Sequence, residues 1–428
     1  MRLVCAPEGY AFQEDGALNV VLYGQPGAAE VGRSARGSAG QAAKAEFLRA
    51  RLEAAPRAWD FLSIALSVVT ADLAGRRSGS PDGWTREFEL TVAVADPAFW
   101  NTQASALERA LKFLSTDRWR LSFVDGGLQP VPPRDAVRPL EDCVVLLSGG
   151  LDSLIGAIDL STSGRKPLAV SHVVRGDKEK QESFAAAIGG GLRRLGLNHN
   201  ASAPGVEEAS QRARSLIFIA FGVLTATALK VYHEGGDAPL YMCENGFIAI
   251  NPPLTGARLG SLSTRTAHPE FLNRIRDVLA AAGLRVPLIN PYEHQTKGEM
   301  LRRCTDLATL KTYAAESASC GRFRVYNYKH CGRCVPCQVR RASFLAWGIP
   351  DTTQYVFEAL GKNDGDHANF DDVRSVALAV AEVAADGLDA WLGPALAYPR
   401  MGDTAPLKTL VQNGLAELAA LHKQYGVK

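Results

Sequence analysis

Val144-Val145-Leu146-Leu147-Ser148-Gly149-Gly150-Leu151-Asp152-Ser153 is the stretch from which the rest of the chain can be read. Residues 143–147 are a short, fully apolar run, the pattern of a central strand buried on both faces of a parallel sheet. The run breaks at two glycines and a helix opens at Asp152. A strand, a Gly-rich turn and a helix start in immediate succession bring backbone N–H groups and the positive end of the helix to one point, with no Cβ in the way. That is a place for an anion.

Ser148 and Ser153 can donate hydroxyl hydrogen bonds there, and Asp152, in the first helical turn, can help hold Mg²⁺ against phosphates. The Gly-Lys-Ser/Thr ending of a Walker A loop is missing. The segment resembles instead the Ser-Gly-Gly-x-Asp-Ser loop of the pyrophosphatase-loop superfamily. This resemblance implies that Leu147 through Ser153 bind ATP and grip the pyrophosphate that departs when the α-phosphate is attacked.

Downstream, strands and helices alternate. Strands are expected at 168–173, 240–243 and 286–289, and helices at 178–195, 215–232, 269–282 and from Thr296. This is the signature of a parallel α/β sheet. Upstream, residues 1–126 mix strand signals (17–23, 87–95, 119–124) with helical ones (42–71, broken near Pro56, and 104–114), and the expectation is an added α+β module without a chemical motif of its own. Gly126-Gly127, Pro130, Pro132, Pro133 and Pro139 mark 127–140 as a linker. The expected division is a module at 1–126, the linker, an ATP-binding domain at 141–312, a metal module at 313–360 and a helical tail at 361–428.

Eight cysteines occur in the chain. Cys143 and Cys243 lie in expected strands and read as core, and Cys5 and Cys304 are scattered. Cys320, Cys331, Cys334 and Cys337 are clustered, with two Cys-x-x-Cys steps. Four thiolates satisfy a tetrahedral Zn²⁺, and spacing alone leaves an iron–sulfur cluster open. His172, His268 and His330 have no ligand spacing.

The residues around this cluster carry a further resemblance. From Cys331 through Gln338-Val339-Arg340-Arg341-Ala342-Ser343-Phe344 to Gly348-Ile349-Pro350-Asp351-Thr352-Thr353-Gln354-Tyr355 the chain resembles the zinc module of the 7-cyano-7-deazaguanine synthase family (QueC). Arg214-Ser215-Leu216-Ile217-Phe218 is similar to that family's Arg-Asn-Leu-Leu-Phe segment and Glu244-Asn245-Gly246 to its Gly-x-Asn turn. Thr264-Arg265-Thr266-Ala267-His268-Pro269-Glu270-Phe271 stands where it has a Cys-Arg-Pro-Glu-Phe substrate loop. Gln295-Thr296-Lys297-Gly298-Glu299-Met300 matches a Thr-Lys-x-Glu helix start. The resemblance implies zinc at the four cysteines, ATP as cosubstrate and 7-carboxy-7-deazaguanine as the carboxylate adenylated, converted to an amide and then a nitrile. It implies catalytic roles for Asp152, Ser153 and Lys297, and substrate contacts from Arg214, Glu244, Asn245, Gly246, Thr264, Arg265 and Thr266.

Three features depart from the housekeeping pattern: the amino-terminal module, the replacement of a Tyr-Gly-Gln-Arg-His segment by His172-Val173-Val174-Arg175-Gly176-Asp177, and an enlarged loop from Asn251 to His268. These, with Trp84-x-Arg86 and Trp100…Phe113-Leu114…Trp119, are similar to QueC-like proteins of anti-phage defence operons, the QatC group. A defence-operon partner protein then becomes a candidate acceptor, recognised by residues 1–126 folding as a separate unit. Two other readings compete: an RNA-modifying enzyme of the tRNA-thiolation type and a non-catalytic nucleotide-binding subunit.

Composition limits the remaining classes. Apolar residues are 46% and charged residues 21%, and the net charge is +2. No strongly basic face of the nucleic-acid-binding kind is indicated. The longest apolar stretch, 216–229, falls short of the roughly 20 residues of a membrane span. The start lacks a signal peptide's apolar region. A cytoplasmic location with reduced thiols is expected.

Overall fold

The computed structural model describes the whole chain except residues 26–34, 175, 257–264, 362–371 and 428. Among the described residues, ten strands form two sheets of five, with every strand pairing parallel. The first contains β1 (Arg2–Pro7), β2 (Leu18–Leu22), β3 (Gly37–Ala39), β4 (Glu87–Ala93) and β5 (Arg118–Val124) in the order β3-β2-β1-β4-β5. The second contains β6 (Cys143–Leu146), β7 (Pro167–His172), β8 (Arg194–Leu197), β9 (Leu240–Tyr241) and β10 (Leu288–Ile289) in the order β10-β9-β6-β7-β8. The fold is α/β throughout.

The amino-terminal module therefore differs from the α+β expectation. Its strands β4 and β5 alternate buried and exposed residues, as antiparallel strands with one wet face usually do. Here that alternation belongs to a parallel pair whose outer face carries Glu87–Arg118 and Glu89–Arg120 ion pairs. β1 and β3, not anticipated, complete the sheet, and the helices Gln41–Arg49 and Pro56–Ala74 break at Pro56 as expected.

In the second sheet the expected helix 178–195 stops at Ala187, and residues 194–197 become β8. The intervening run Gly189-Gly190-Gly191 is too costly in backbone entropy to stay helical. The helix Ser215–Ala226 is buried along nearly its whole length. It packs against the helix Pro56–Ala74, itself buried from Ala58 to Leu73. One apolar core thus runs from Leu3 and Phe88 in the first sheet to Val144, Leu168 and Leu240 in the second. The core does not stop at the Pro-rich linker. The carboxyl-terminal helices Asp372–Asp386, Leu388–Leu396 and Ala405–Gln424 pack together on Phe247, Val335 and Val339. Among the described residues, no helix is long and apolar enough to cross a membrane.

Candidate active site

In the second sheet the chain leaves β6 for β7 on one side and returns to place β9 on the other. The carboxyl ends of β6 and β9 form the switch point of the sheet, where open α/β sheets bind ligands. The Ser-Gly-Gly turn follows β6, and Glu244-Asn245 follows β9.

The turn is closed by its own side chains. Leu147 N–H donates to Val170 O at 2.8 Å, extending the sheet by one residue. The Ser153 hydroxyl donates to Gly150 O at 2.9 Å and lies 3.1 Å from the Ser148 hydroxyl, which accepts Gly150 N–H at 3.2 Å. Gly149 has φ +88°, a conformation that costs any residue with a Cβ. Leu151 is core, on the buried side of the helix Leu151–Thr162. A second support comes from far along the chain. Ala318 N–H donates to Gly149 O at 2.9 Å. The 314–319 segment is in turn gripped by the buried guanidinium of Arg340, with bonds to Ser317 Oγ (2.9 Å), Ser319 Oγ (3.1 Å) and Ala314 O (2.5 Å). Sequence reasoning passed over Arg340 as one residue of a motif; its role depends on a contact that no local pattern encodes.

Behind the turn, Asp152, Asn245 and Lys297 converge. Asp152 and Lys297 are 5% and 7% exposed and form an ion pair through Asp152 Oδ1. Asp152 Oδ2 accepts Asn245 N–H at 3.1 Å and Asn245 Nδ2 at 2.7 Å. Lys297 stands at the start of a helix (Lys297–Arg303) held by a capping box between Thr296 and Glu299. Thr296 also donates to Glu417 of the last helix at 2.6 Å. Asn245 caps its own helix by accepting Ile248 N–H at 3.0 Å, and Gly246 lies so close to Glu293 that a Cβ would fall 2.0 Å from its carbonyl oxygen. Burial pushes the neighbouring Glu244 carboxyl up to about 7; repulsion from Asp152 adds to this and Lys297 offsets part of it. The two carboxyl groups of Asp152 and Glu244 thus stand near each other behind the turn.

The other expected contacts are distributed differently. Arg214 stands at the start of the helix Ser215–Ala226, and its charge acts on His172 at the end of β7 and on His199 just past β8. Arg265 reaches away from the turn: its Nη1 donates to Phe113 O at 3.3 Å, and its guanidinium lies over the Phe113 ring. Thr266 is half-buried in the turn before the helix Pro269–Ala281. Thr264 lies outside the described residues. Cys5, Cys143, Cys243 and Cys304 are all buried, and burial raises each thiol.

The Sγ atoms of Cys320, Cys331, Cys334 and Cys337 all lie within 4.8 Å of one another. The Cys320–Cys334 and Cys331–Cys337 separations are 3.9 and 3.8 Å. A tetrahedron of sulfurs at about 2.3 Å from one ion has edges of roughly 3.8 Å. Thiolates on the different irons of a cluster stand further apart. Backbone N–H groups point at these sulfurs: Arg322 and Cys331 at Cys320 Sγ, and Arg333 and Cys334 at Cys331 Sγ, at 3.2–3.4 Å. The four cysteines can hold a metal such as zinc.

Half of the chain is similar to 7-cyano-7-deazaguanine synthases. The enzyme of that name from Agrobacterium fabrum is 28% identical over 242 residues, covering 50% of this chain and 91% of the relative. That of Rhizobium rhizogenes is 27% identical over 244 residues, covering 50% and 91%. That of the archaeon Methanothrix thermoacetophila is 28% identical over 234 residues, covering 50% and 97%. No family model and no solved structure matches the chain. Nearly the whole length of each of these relatives is matched by half of this protein.

Proposed function

We propose that this protein adenylates the carboxylate of 7-carboxy-7-deazaguanine with ATP and joins it to an amine. The observation that carries the proposal is the buried Asp152–Lys297 pair, with Asn245 and Glu244, directly behind a Ser-Gly-Gly turn at the sheet's switch point. A carboxylate oxygen of the acid attacks the α-phosphorus, the bond to the β-phosphate oxygen breaks and pyrophosphate leaves. The amine then attacks the carboxyl carbon, AMP leaves with the C–O bond electrons and one proton is released.

The chain's own residues have separable roles. The N–H groups of the turn and the Ser148 and Ser153 hydroxyls bind the departing pyrophosphate, where negative charge grows. Asn245 holds Asp152 in place, and Asp152 holds the Lys297 ammonium at the phosphate end. Glu244, ionising near neutrality, suits the uptake of the amine proton. Asp152 is the group that would hold Mg²⁺, which would supply charge neutralisation on the phosphates when bound. The four cysteines would hold Zn²⁺ in a closed, structural site that steadies the 314–319 segment under the turn.

The acceptor is the finer part of the proposal. Half of this chain has no counterpart in the matched relatives, and the resemblance to the QatC group supports a defence setting. A protein amine from an operon partner is then a suitable acceptor beside ammonia. Mass spectrometry of reactions containing ATP, 7-carboxy-7-deazaguanine and candidate partners tests both levels. AMP, pyrophosphate and an amide are expected, with a mass increase on a partner. A free nitrile as sole product, every partner unmodified, would return the protein to ordinary nitrile synthesis. No acid-dependent AMP at all would defeat the reading.

A further inference from the structure

A series of polar ties joins the first sheet and its helices to one segment of the second domain, residues 198–214. Ser38 and Ser202 exchange backbone hydrogen bonds at 3.0 and 2.8 Å. Gly40 N–H donates to His199 O at 2.7 Å and Ala42 N–H to Asn200 Oδ1 at 3.0 Å. Glu208 Oε2 accepts Arg77 N–H at 2.9 Å while its Oε1 accepts Ser210 N–H at 2.7 Å. Asp72, fully buried, accepts Ala213 N–H at 2.7 Å. Asp72 is itself anchored in a buried group of two acids and two arginines with Arg86, Asp117 and Arg77.

Through His199, whose ring lies beside that of His172 at the end of β7, this segment forms a wall next to the Ser-Gly-Gly turn. Gln181 Nε2 donates to Ser148 O at 3.2 Å and to His172 O at 3.1 Å, linking the phosphate turn to the end of β7. The His172 ring lies 4.8 Å from that of His199 and near Phe218 and Phe221. Arg214, one residue beyond the Asp72 tie, and Arg324 are the cations whose field falls on these imidazoles. Burial, with His199, Arg214 and Arg324, holds His172 down at about 3, and burial with Arg214 holds His199 at about 4. Both rings are thus neutral, flat and set beside Arg214, whose field also reaches Asp177. Such a surface takes an anionic heteroaromatic molecule.

We infer that the amino-terminal domain is a built-in part of this active site, holding the 198–214 wall through Glu208 and Asp72 so that His199 and Arg214 face an anionic heteroaromatic ligand. The inference rests on the proposed function for the second of two such ligands, the deazaguanine acid; ATP is the first. Glu208 and Asp72 are positioning residues, because each acts through backbone amides of the wall.

The test compares the wild-type chain with Glu208→Ala, which lies outside the buried ion group, and with Asp72→Asn. Hydrogen exchange is read across 198–214 and across 147–153, and the dissociation constants of ATP and of 7-carboxy-7-deazaguanine are measured separately. In Glu208→Ala, exchange should quicken in 198–214 but not in 147–153, and affinity for one of the two ligands should fall about tenfold, the scale of a misplaced contact. Where turnover is observed, KM should rise by the same factor with kcat little changed. Faster exchange with both affinities intact overturns the inference, as does unchanged exchange in both variants. If wild type binds ATP but makes no AMP with the acid, the proposed function falls, while the ATP comparison still decides whether the wall belongs to a site.

Discussion

The Lys297 ammonium is seated on Oδ1 of Asp152, two buried groups that stand 145 positions apart in the chain. A buried pair of this kind adds little net stability when intact, but removing one partner leaves the other charged and unsatisfied, at about 3–5 kcal/mol. Lys297→Met should therefore lower the melting temperature as well as stop acid-dependent release of AMP and pyrophosphate. Ser153→Ala, which loses the hydroxyl that braces the turn, should stop release with a smaller fall in melting temperature than Lys297→Met. Release of ADP and orthophosphate by wild type would show that a different bond is cleaved.

Glu244 carries a pH signature. Its folded value of about 7 lies above the ordinary 4.5. Between these values the unfolded chain gives up a proton that the folded chain keeps, so the stability present below pH 4.5 is lost as pH rises to 7. Glu244→Gln cannot ionise and escapes this loss. Its melting temperature relative to wild type should climb from pH 5 to pH 7 and then level off, by up to about 3 kcal/mol in stability. A constant offset between pH 5 and pH 8 would contradict it.

The four cysteines should retain one Zn²⁺ per chain through purification. Cys334→Ser should lose the metal and melt at a lower temperature, because binding energy at such a site is folding energy. Since Ala318 bonds to Gly149 only two residues before Cys320, ATP affinity should fall with it. Elemental analysis that finds iron, or a stable metal-free chain, would refute the assignment.

Arg86 lies at the centre of the buried ion group, between Asp72 and Asp117. Arg86→Ala should destabilise the whole protein by about 3–5 kcal/mol. A chain beginning at residue 127 uncovers the helix Ser215–Ala226 and should be insoluble. A soluble, catalytically competent truncation would show instead that residues 1–126 are a detachable partner-binding unit.

The phosphate turn and the cysteine cluster were legible in the sequence because each is a local device. Ser148 through Ser153 close one turn within six residues, and three of the four sulfurs lie within seven consecutive residues, so residue type and spacing mark both. The helix start at Thr296-Lys297 was marked in the sequence by the family resemblance, and the structure adds the capping box that holds it. Contacts between distant segments were not. Alternation in β4 and β5 has the same period of two whether the neighbours run parallel or antiparallel, so only the assembled sheet decided for parallel. That Asn245 braces Asp152, that Arg265 turns to Phe113, and that Asp72 reaches Ala213 follow from strand order and from one core shared by two sheets. Such proximities arise from burying apolar faces against each other, and no spacing along the chain records them.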